Sequence, residues 1–91
     1  MTGKVRDNLE SQRYELELDG GLAFIDYRRR DHVVTLTHAE VPMALRGAGL
    51  GAELVRGALE RVRERGEKVV PHCAFVALYM RRHPESHDLL A

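Results

Sequence analysis

The sequence predicts an α+β protein with a mixed sheet, in which an antiparallel meander is followed by strand, glycine loop, helix, strand and helix. Residues 14–19 alternate strictly between apolar and polar side chains, as a half-buried strand does, and the turn signal Gly20-Gly21 follows them. Residues 52–65 instead repeat apolar side chains every three to four positions, which is typical of an amphipathic helix. A β-rich segment lies on either side of this helix, and this order favours a parallel pair with a right-handed crossover.

The first forty residues predict a three-stranded antiparallel meander. Its strands are residues 14–19, 22–27 and 33–39, and its turns are Gly20-Gly21 and residues 29–31. The third strand is rich in β-branched residues, which favour extended backbone. Pro42 ends the pairing because proline cannot donate a ladder hydrogen bond.

The second half predicts two helices and a fourth strand. The first helix buries one apolar stripe, and Gly66 stops it; the stripe is Val55, Ala58, Leu59 and Val62. Residues 68–73 read as a central strand, with Cys73 at its end. Residues 75–82 read as the second helix, in which Phe75, Leu78 and Tyr79 share a face, and Pro84 starts a short final turn.

The most specific segment is the glycine-rich loop at the start of the first helix. It runs Arg46-Gly47-Ala48-Gly49-Leu50-Gly51-Ala52. Glycines allow the backbone to curl and a bulky ligand to approach, and a helix start offers free N–H groups at the positive end of its dipole. These properties predict a phosphate site, with Arg46 adding a charge-assisted contact.

Two templates fit the glycine spacing. Gly47-x-Gly49-x-x-Ala52 satisfies the dinucleotide fingerprint, but that fold needs a strand running directly into the first glycine and an acid about 20 residues later. Here residues 42–46 intervene, and residues 68–73 carry no acid at their end. The alternative spacing is Arg46-x-x-Gly49-x-Gly51.

Composition excludes several classes of function. The chain has 91 residues, the size of one small domain spanning 1–91, and its 14 basic and 14 acidic residues balance. No net positive charge is available for binding nucleic acid by bulk electrostatics. One cysteine excludes an internal disulfide. No apolar run has the length of a signal core or a membrane span, so we expect a cytoplasmic protein without a membrane partner.

Four further motifs accompany the loop. They are Gly20-Gly21, Thr37-His38-Ala39-Glu40-Val41-Pro42, Val69-Val70-Pro71-His72-Cys73 and Arg81-Arg82-His83-Pro84-Glu85. Together with Arg46-x-x-Gly49-x-Gly51, they make nearly the whole chain resemble the small GNAT-like N-acetyltransferase domains of the GNAT superfamily. The resemblance implies a GNAT-like mixed sheet, acetyl-CoA or coenzyme A as co-substrate, and an amine acceptor that is a small molecule or a protein.

The resemblance also implies the binding residues. The pantetheine arm adds along the strand that ends at Val41, and the pyrophosphate lies on the loop formed by Arg46, Gly47, Ala48, Gly49, Leu50, Gly51 and Ala52. The chain departs from larger GNAT enzymes because it has no room for the helices that normally wall the acceptor side.

Four residues are candidates for catalysis, two of them as alternatives for one role. Tyr79 matches the tyrosine of the resemblance and would protonate the departing thiolate, although a tyrosine in an amphipathic helix is also a common core residue. Cys73 is a candidate acetyl acceptor, but the adjacent His72 points to the other face of a strand and free cysteines are commonly buried. Glu40, or His38 two positions before it, would take a proton from the amine. We expect no metal, since His83 and His87 read as a surface pair.

These residues predict direct acetyl transfer from acetyl-CoA to an amine. A non-catalytic acyl-CoA-binding or regulatory module is the alternative, because the acceptor wall is missing. An unrelated phosphate-binding α+β domain is a third possibility. The sequence leaves the acceptor, the acyl length and the oligomeric state open.

Overall fold

The computed structural model describes residues 4–47 and 49–91. Within these described residues there are five strands, two α-helices and two 3₁₀ turns. In order they are β1 (Arg6–Asn8), β2 (Arg13–Leu18), β3 (Gly21–Arg30), β4 (Val33–Glu40), the 3₁₀ turn Met43–Leu45, α1 (Leu50–Glu64), β5 (Lys68–Pro71), α2 (Ala74–Arg82) and the 3₁₀ turn Pro84–Leu89. None of the described helices is both long and apolar enough to cross a membrane.

The strands form one sheet in chain order, β1-β2-β3-β4-β5. The first three pairs are antiparallel, and β4 pairs with β5 in parallel through the α1 crossover, as the strand–helix–strand order predicts. The predicted meander was one strand too short, because β1 also belongs to it. This strand consists of three polar residues, so the sequence shows no apolar–polar alternation there. The strand is recognised only from its pairing with β2, in which Asp7 lies opposite Tyr14.

Both predicted turns of the meander contain residues with positive φ. Gly20 and Gly21 have φ of 146° and 148°, and a Cβ on Gly21 would lie 2.9 Å from Pro42 Cγ. The next turn was predicted at residues 29–31 but lies at Asp31 and His32, whose φ values are 50° and 66°. β3 therefore runs through Arg30, because pairing with β4 continues to the Arg30–Val33 rung.

Helix α1 covers one face of the sheet, and the core lies between them. The predicted stripe of Val55, Ala58, Leu59 and Val62 is buried, together with Leu54. These side chains meet the inward residues of the strands; Tyr14, Leu16, Ala23, Ile25, Val34, Leu36 and Val69 are all fully buried. Gly66 follows the helix with φ of 69°, which confirms it as the C-terminal stop.

The segment after α1 differs from its prediction in three details. β5 ends at Pro71, not at Cys73, and it is an edge strand rather than a central one. Cys73 is the N-cap of α2. The core face of α2 consists of Val76 and Met80, whereas Phe75 and Leu78 remain 45% and 38% exposed. Apolar spacing alone does not separate these two faces of a short helix.

A partly buried ionic cluster closes one end of the sheet. Arg29 donates through Nε and Nη2 to Glu67 at 2.7 and 3.1 Å, and through Nη2 to Asp7 at 3.1 Å. The Tyr27 hydroxyl donates to Asp7 at 2.5 Å and accepts from Arg29 Nη1 at 3.1 Å. Arg29 pairs with Val34 at the first half of β4, so this cluster is remote from the end of β4 at Glu40.

Candidate functional site

A groove of about 460 Å³ opens where β4 ends. Three parts of the chain that are separate in sequence meet in it: the last residues of β4, the glycine loop with the first turn of α1, and the start of α2. Its mostly apolar lining consists of Ala39, Glu40, Val41, Arg46, Gly47, Gly49, Gly51, Ala52 and Phe75. Most of the residues predicted to bind the cofactor, and one predicted catalytic residue, thus lie around one space.

A bulge in β4 shapes this end of the sheet. Asp26 pairs with His38 and Tyr27 pairs with Leu36, so Thr37 is an extra residue on β4. Its hydroxyl donates to the carbonyl oxygen of Asp26 at 3.2 Å. An extra residue reverses the alternation of the strand. As a result, Ala39 and Val41 pack against the core, as Leu36 does before the bulge, and His38 is exposed. Sequence reasoning missed the bulge because no glycine marks it.

Beyond the bulge, β4 has a free edge. β5 pairs with β4 only from Val33 to Leu36, and the backbone N–H of Cys73 adds one more bond by donating to Leu36 O at 2.8 Å. The chain then turns away into α2. Across the described residues, no ladder continues along this side of residues 37–40. Backbone N–H and C=O groups of an unpaired edge are ready to bind an extended molecule.

Two glycines give the loop its shape beside this edge. Gly47 and Gly49 have φ of 88° and 77°, and an added Cβ at either position would meet nothing within 4 Å. Their side therefore faces open space, and glycine is favoured by conformation alone. Gly49 is the N-cap of α1, and the first N–H groups of a helix lack intrahelical partners. Ala48 lies outside the described residues, and Leu50 begins α1 without lining the groove.

Arg46 connects the loop to the end of β4. Its Nε donates to the carbonyl oxygen of Val41 at 3.1 Å, while the residue itself is exposed at the mouth of the groove. A guanidinium has five N–H donors, so a second contact with an anion is compatible with this bond.

Phe75 is a groove residue that the sequence did not indicate. Its ring packs on the first turn of α1 at Gly51, where an added Cβ would lie only 2.6 Å from Cζ. The signal was absent because Phe75 and Gly51 are 24 positions apart, and their contact depends on how α1 and α2 pack.

Glu40 and His38 form a polar pair at the outer end of β4. The His38 Nε2 and Glu40 Oε2 atoms are 3.2 Å apart, and both side chains are more than half exposed. Glu40 also lines the groove. A carboxylate beside an imidazole at this position is able to accept a proton from a molecule in the groove.

Tyr79 lies next to a different hollow. This space of about 200 Å³ is lined by Arg56, Leu59, Glu60, Arg63, Tyr79, Glu85, Ser86 and Leu89. The ring stacks on His83 at a centroid distance of 3.8 Å and an interplanar angle of 11°. Burial, and then the nearby Glu85 carboxylate, raise the pKa of the Tyr79 hydroxyl, so it remains protonated at neutral pH. The structure does not bring Tyr79 to the groove lining.

Cys73 is half-buried at the start of α2 and packs against the core. It lies between β5 and Phe75 without lining the groove. The two late histidines each donate to a backbone carbonyl: His83 Nδ1 to Tyr79 and His87 Nε2 to Met80, both at 2.7 Å. Among the described residues, no group of three His, Cys, Asp or Glu side chains is arranged to hold a metal ion.

The five-stranded mixed sheet, with a groove beside a glycine-rich helix start, defines the class of protein as a mixed α+β fold. Comparison with known proteins identifies the family. The model of the GCN5-related N-acetyltransferase family matches residues 13–89. The fold is similar to the NMR solution structure of a GCN5-like protein from Staphylococcus aureus, with a TM-score of 0.73 and 23% identity over 97% of this chain and 87% of that chain. The chain therefore belongs to the GCN5-related N-acetyltransferase family and is an N-acetyltransferase.

Proposed function

We propose that the protein uses acetyl-CoA and transfers the acetyl group directly to an amine. One observation supports this most strongly: the free edge of β4 and the glycine-rich start of α1 open into the same groove. An extended arm that ends in a diphosphate needs both of these features at once, and coenzyme A has that form.

The diphosphate would lie at the start of α1. Free N–H groups and the positive end of the helix dipole favour an anion there. The open space at Gly47 and Gly49 lets the phosphate oxygens approach the backbone. Arg46 would add a charge-assisted contact while its Nε continues to hold the Val41 carbonyl.

The pantetheine arm would run along residues 37–41. Its two amides would form strand-like hydrogen bonds with the free edge of β4, in the gap that opens where β5 ends at Pro71. The thioester would then lie near the bulge, beyond the last β4–β5 rung.

The amine would attack the thioester carbonyl carbon, so that a carbon–nitrogen bond forms and the carbon–sulfur bond breaks. The nitrogen loses one proton and the departing thiolate takes one. Glu40 lines the groove and pairs with His38, so this pair would accept the proton from the amine. Binding both reactants in one groove would supply proximity.

Tyr79 remains the candidate acid for the thiolate, since it lies one helical turn after Phe75 and keeps its proton at neutral pH. Reaching the sulfur requires that the cofactor or α2 adjust. If Tyr79 is the acid, Tyr79→Phe should slow turnover by roughly 10²–10⁴-fold.

Cys73→Ala should keep most of the activity, because direct attack needs no thiol.

Calorimetric titration with acetyl-CoA tests the proposal, followed by a thiol-release assay over a panel of amines. We expect a dissociation constant of about 1–100 μM, in the usual range of cofactor sites. A flat titration would reject the cofactor. An acetyl adduct on Cys73 that the amine discharges, seen by mass spectrometry, would replace direct transfer with a relay.

A non-catalytic acyl-CoA-binding module is the second candidate. β1 and β2 are joined by residues 9–12 alone, so no helix stands between them to wall an acceptor. Acetyl-CoA binding without thiol release across the whole amine panel would favour this candidate.

A further inference from the structure

Among the described residues that line the groove, Phe75 is the one with an aromatic side chain. It is 45% exposed although it packs on α1, so a large part of its ring surface is open. Open aromatic surface inside a mostly apolar groove is typical of a ligand contact, since covering it with apolar groups is favourable.

The three motif glycines differ in what they face. Open space lies at the Cβ positions of Gly47 and Gly49, and both have positive φ. Gly51 lies within α1, and its Cβ position is occupied: ring atoms Cζ and Cε2 of Phe75 would be 2.6 and 3.1 Å away. Packing of the Phe75 ring on the helix therefore explains the glycine at position 51, whereas positive φ explains the glycines at positions 47 and 49.

The ring also determines the shape of the groove. Apolar side chains come from Ala39 near the end of β4, from Val41 just after it, and from Phe75 in α2. Between them runs the free edge of β4. The pantetheine arm, with two amides, one gem-dimethyl carbon and several methylene groups, matches this combination, because its amides can bond to the strand and its apolar carbons can contact the ring.

We propose that Phe75, seated on Gly51, is a specificity-determining residue that binds the pantetheine arm rather than the nucleotide part of the cofactor. The inference rests on the proposed use of coenzyme A. A side chain at position 51 would push the ring into the groove and narrow it, so the two residues act as a pair.

The test is a double-mutant cycle measured by calorimetry with coenzyme A and, separately, with ADP, which carries the diphosphate without the arm. The variants are Phe75→Ala, Gly51→Ala, and both together. Leu78→Ala is the matched control, since Leu78 is an exposed apolar residue of α2 that does not line the groove. Phe75→Leu retains apolar bulk and serves where Phe75→Ala does not fold, as judged by circular dichroism.

We expect Phe75→Ala to weaken coenzyme A binding about tenfold, because the covered ring surface is lost. ADP binding should change less than twofold, and Leu78→Ala should leave both unchanged. Gly51→Ala should also weaken coenzyme A binding, and the double variant should bind as Phe75→Ala does, since the displaced ring is gone.

Three results would overturn the inference. The first is that Gly51→Ala weakens coenzyme A binding as much in the Phe75→Ala variant as it does in the wild-type protein. The second is a parallel loss of ADP affinity. The third is unchanged coenzyme A affinity in both Phe75 variants. Failure of the wild-type protein to bind coenzyme A would instead reject the proposed function, so the two failures are distinguishable.

Discussion

An arginine lies near each end of β4, and the two ends differ in whether the surrounding polar groups are already paired within the protein. At its start, Arg29 uses its N–H groups on Glu67, Asp7 and Tyr27, all within the protein. At its end, Arg46 lies exposed beside a strand edge and a helix start whose backbone groups face a groove. Both regions hold an arginine among polar partners. One region is internally satisfied, whereas the other leaves donors for a ligand.

The difference shows how a small domain separates stability from binding. Polar groups that are buried must be paired, because an unpaired one costs free energy. The paired cluster therefore satisfies its own polar groups at the end of the sheet where Arg29 lies. Unpaired backbone groups are tolerated at the other end because water reaches them there, and a ligand with matching acceptors and donors can replace that water.

The largest expected effect comes from breaking the closed end. Arg29→Leu should lower the free energy of unfolding by about 3 kcal/mol, because it leaves Asp7 and the 3%-exposed Glu67 side chain without their main cationic partner. In a domain of this size that corresponds to a melting temperature lower by about 15 °C. Thermal unfolding measures the shift.

The neighbouring Arg30 supplies the control. Its side chain is 94% exposed, and its ion pair with the 91%-exposed Asp31 is long, at 3.9 Å. Such an exposed pair adds little stability, so Arg30→Leu should change the free energy of unfolding by less than about 0.5 kcal/mol. Acetyl-CoA affinity of the folded Arg29 variant should match wild type. Equal losses of stability in the two variants would mean that the cluster contributes nothing.

The next effect sharpens the comparison at the open end. Gly49→Ala and Gly66→Ala place a side chain at φ of 77° and 69° at opposite ends of α1, each with open space around it. Both should lose about 1 kcal/mol of stability, since the backbone strain is the same. Only Gly49→Ala should weaken acetyl-CoA binding, by about tenfold, because its methyl group lies over the phosphate site.

Calorimetry and thermal unfolding separate the two contributions for each glycine. Similar acetyl-CoA affinities for both variants would remove Gly49 from the site. If Gly49→Ala lost far more stability than Gly66→Ala, the loop would also be important for the stability of the fold.

The last effect, which is absent at neutral pH, is a pH dependence of the closed end. Burial and the Asp7 carboxylate raise the pKa of Tyr14 and of Tyr27 above the ordinary value near 10. Since these pKa values are higher in the folded state, their contribution to stability is complete below pH 10 and is lost as the pH rises above it.

Urea unfolding between pH 8 and 11 should therefore show constant stability up to about pH 10 and a decline beyond it. In Tyr14→Phe the decline should be smaller, because the contribution of Tyr14 is removed. That contribution is up to about 1.4 kcal/mol for each unit by which folding raises the pKa of Tyr14. An identical alkaline slope in wild type and Tyr14→Phe would contradict the role of Tyr14.

The sequence by itself determined the elements with strong periodicity. Val55, Ala58, Leu59 and Val62 predicted the buried face of α1, and Gly20-Gly21 predicted the first hairpin; both are confirmed. Glycine and proline positions are local properties of the backbone, so they are visible in one dimension. The loop from Arg46 to Gly51 was recognised for the same reason.

Tertiary structure decided whatever depends on contacts between distant segments. β1 exists only because Asp7 meets Tyr14, and the bulge at Thr37 becomes visible only when β3 and β4 are paired. The packing of α1 against α2 decided that Phe75 enters the groove and Tyr79 does not line it. Helix α2 carries apolar residues on more than one side, and packing against the rest of the fold selects Val76 and Met80 as the buried ones.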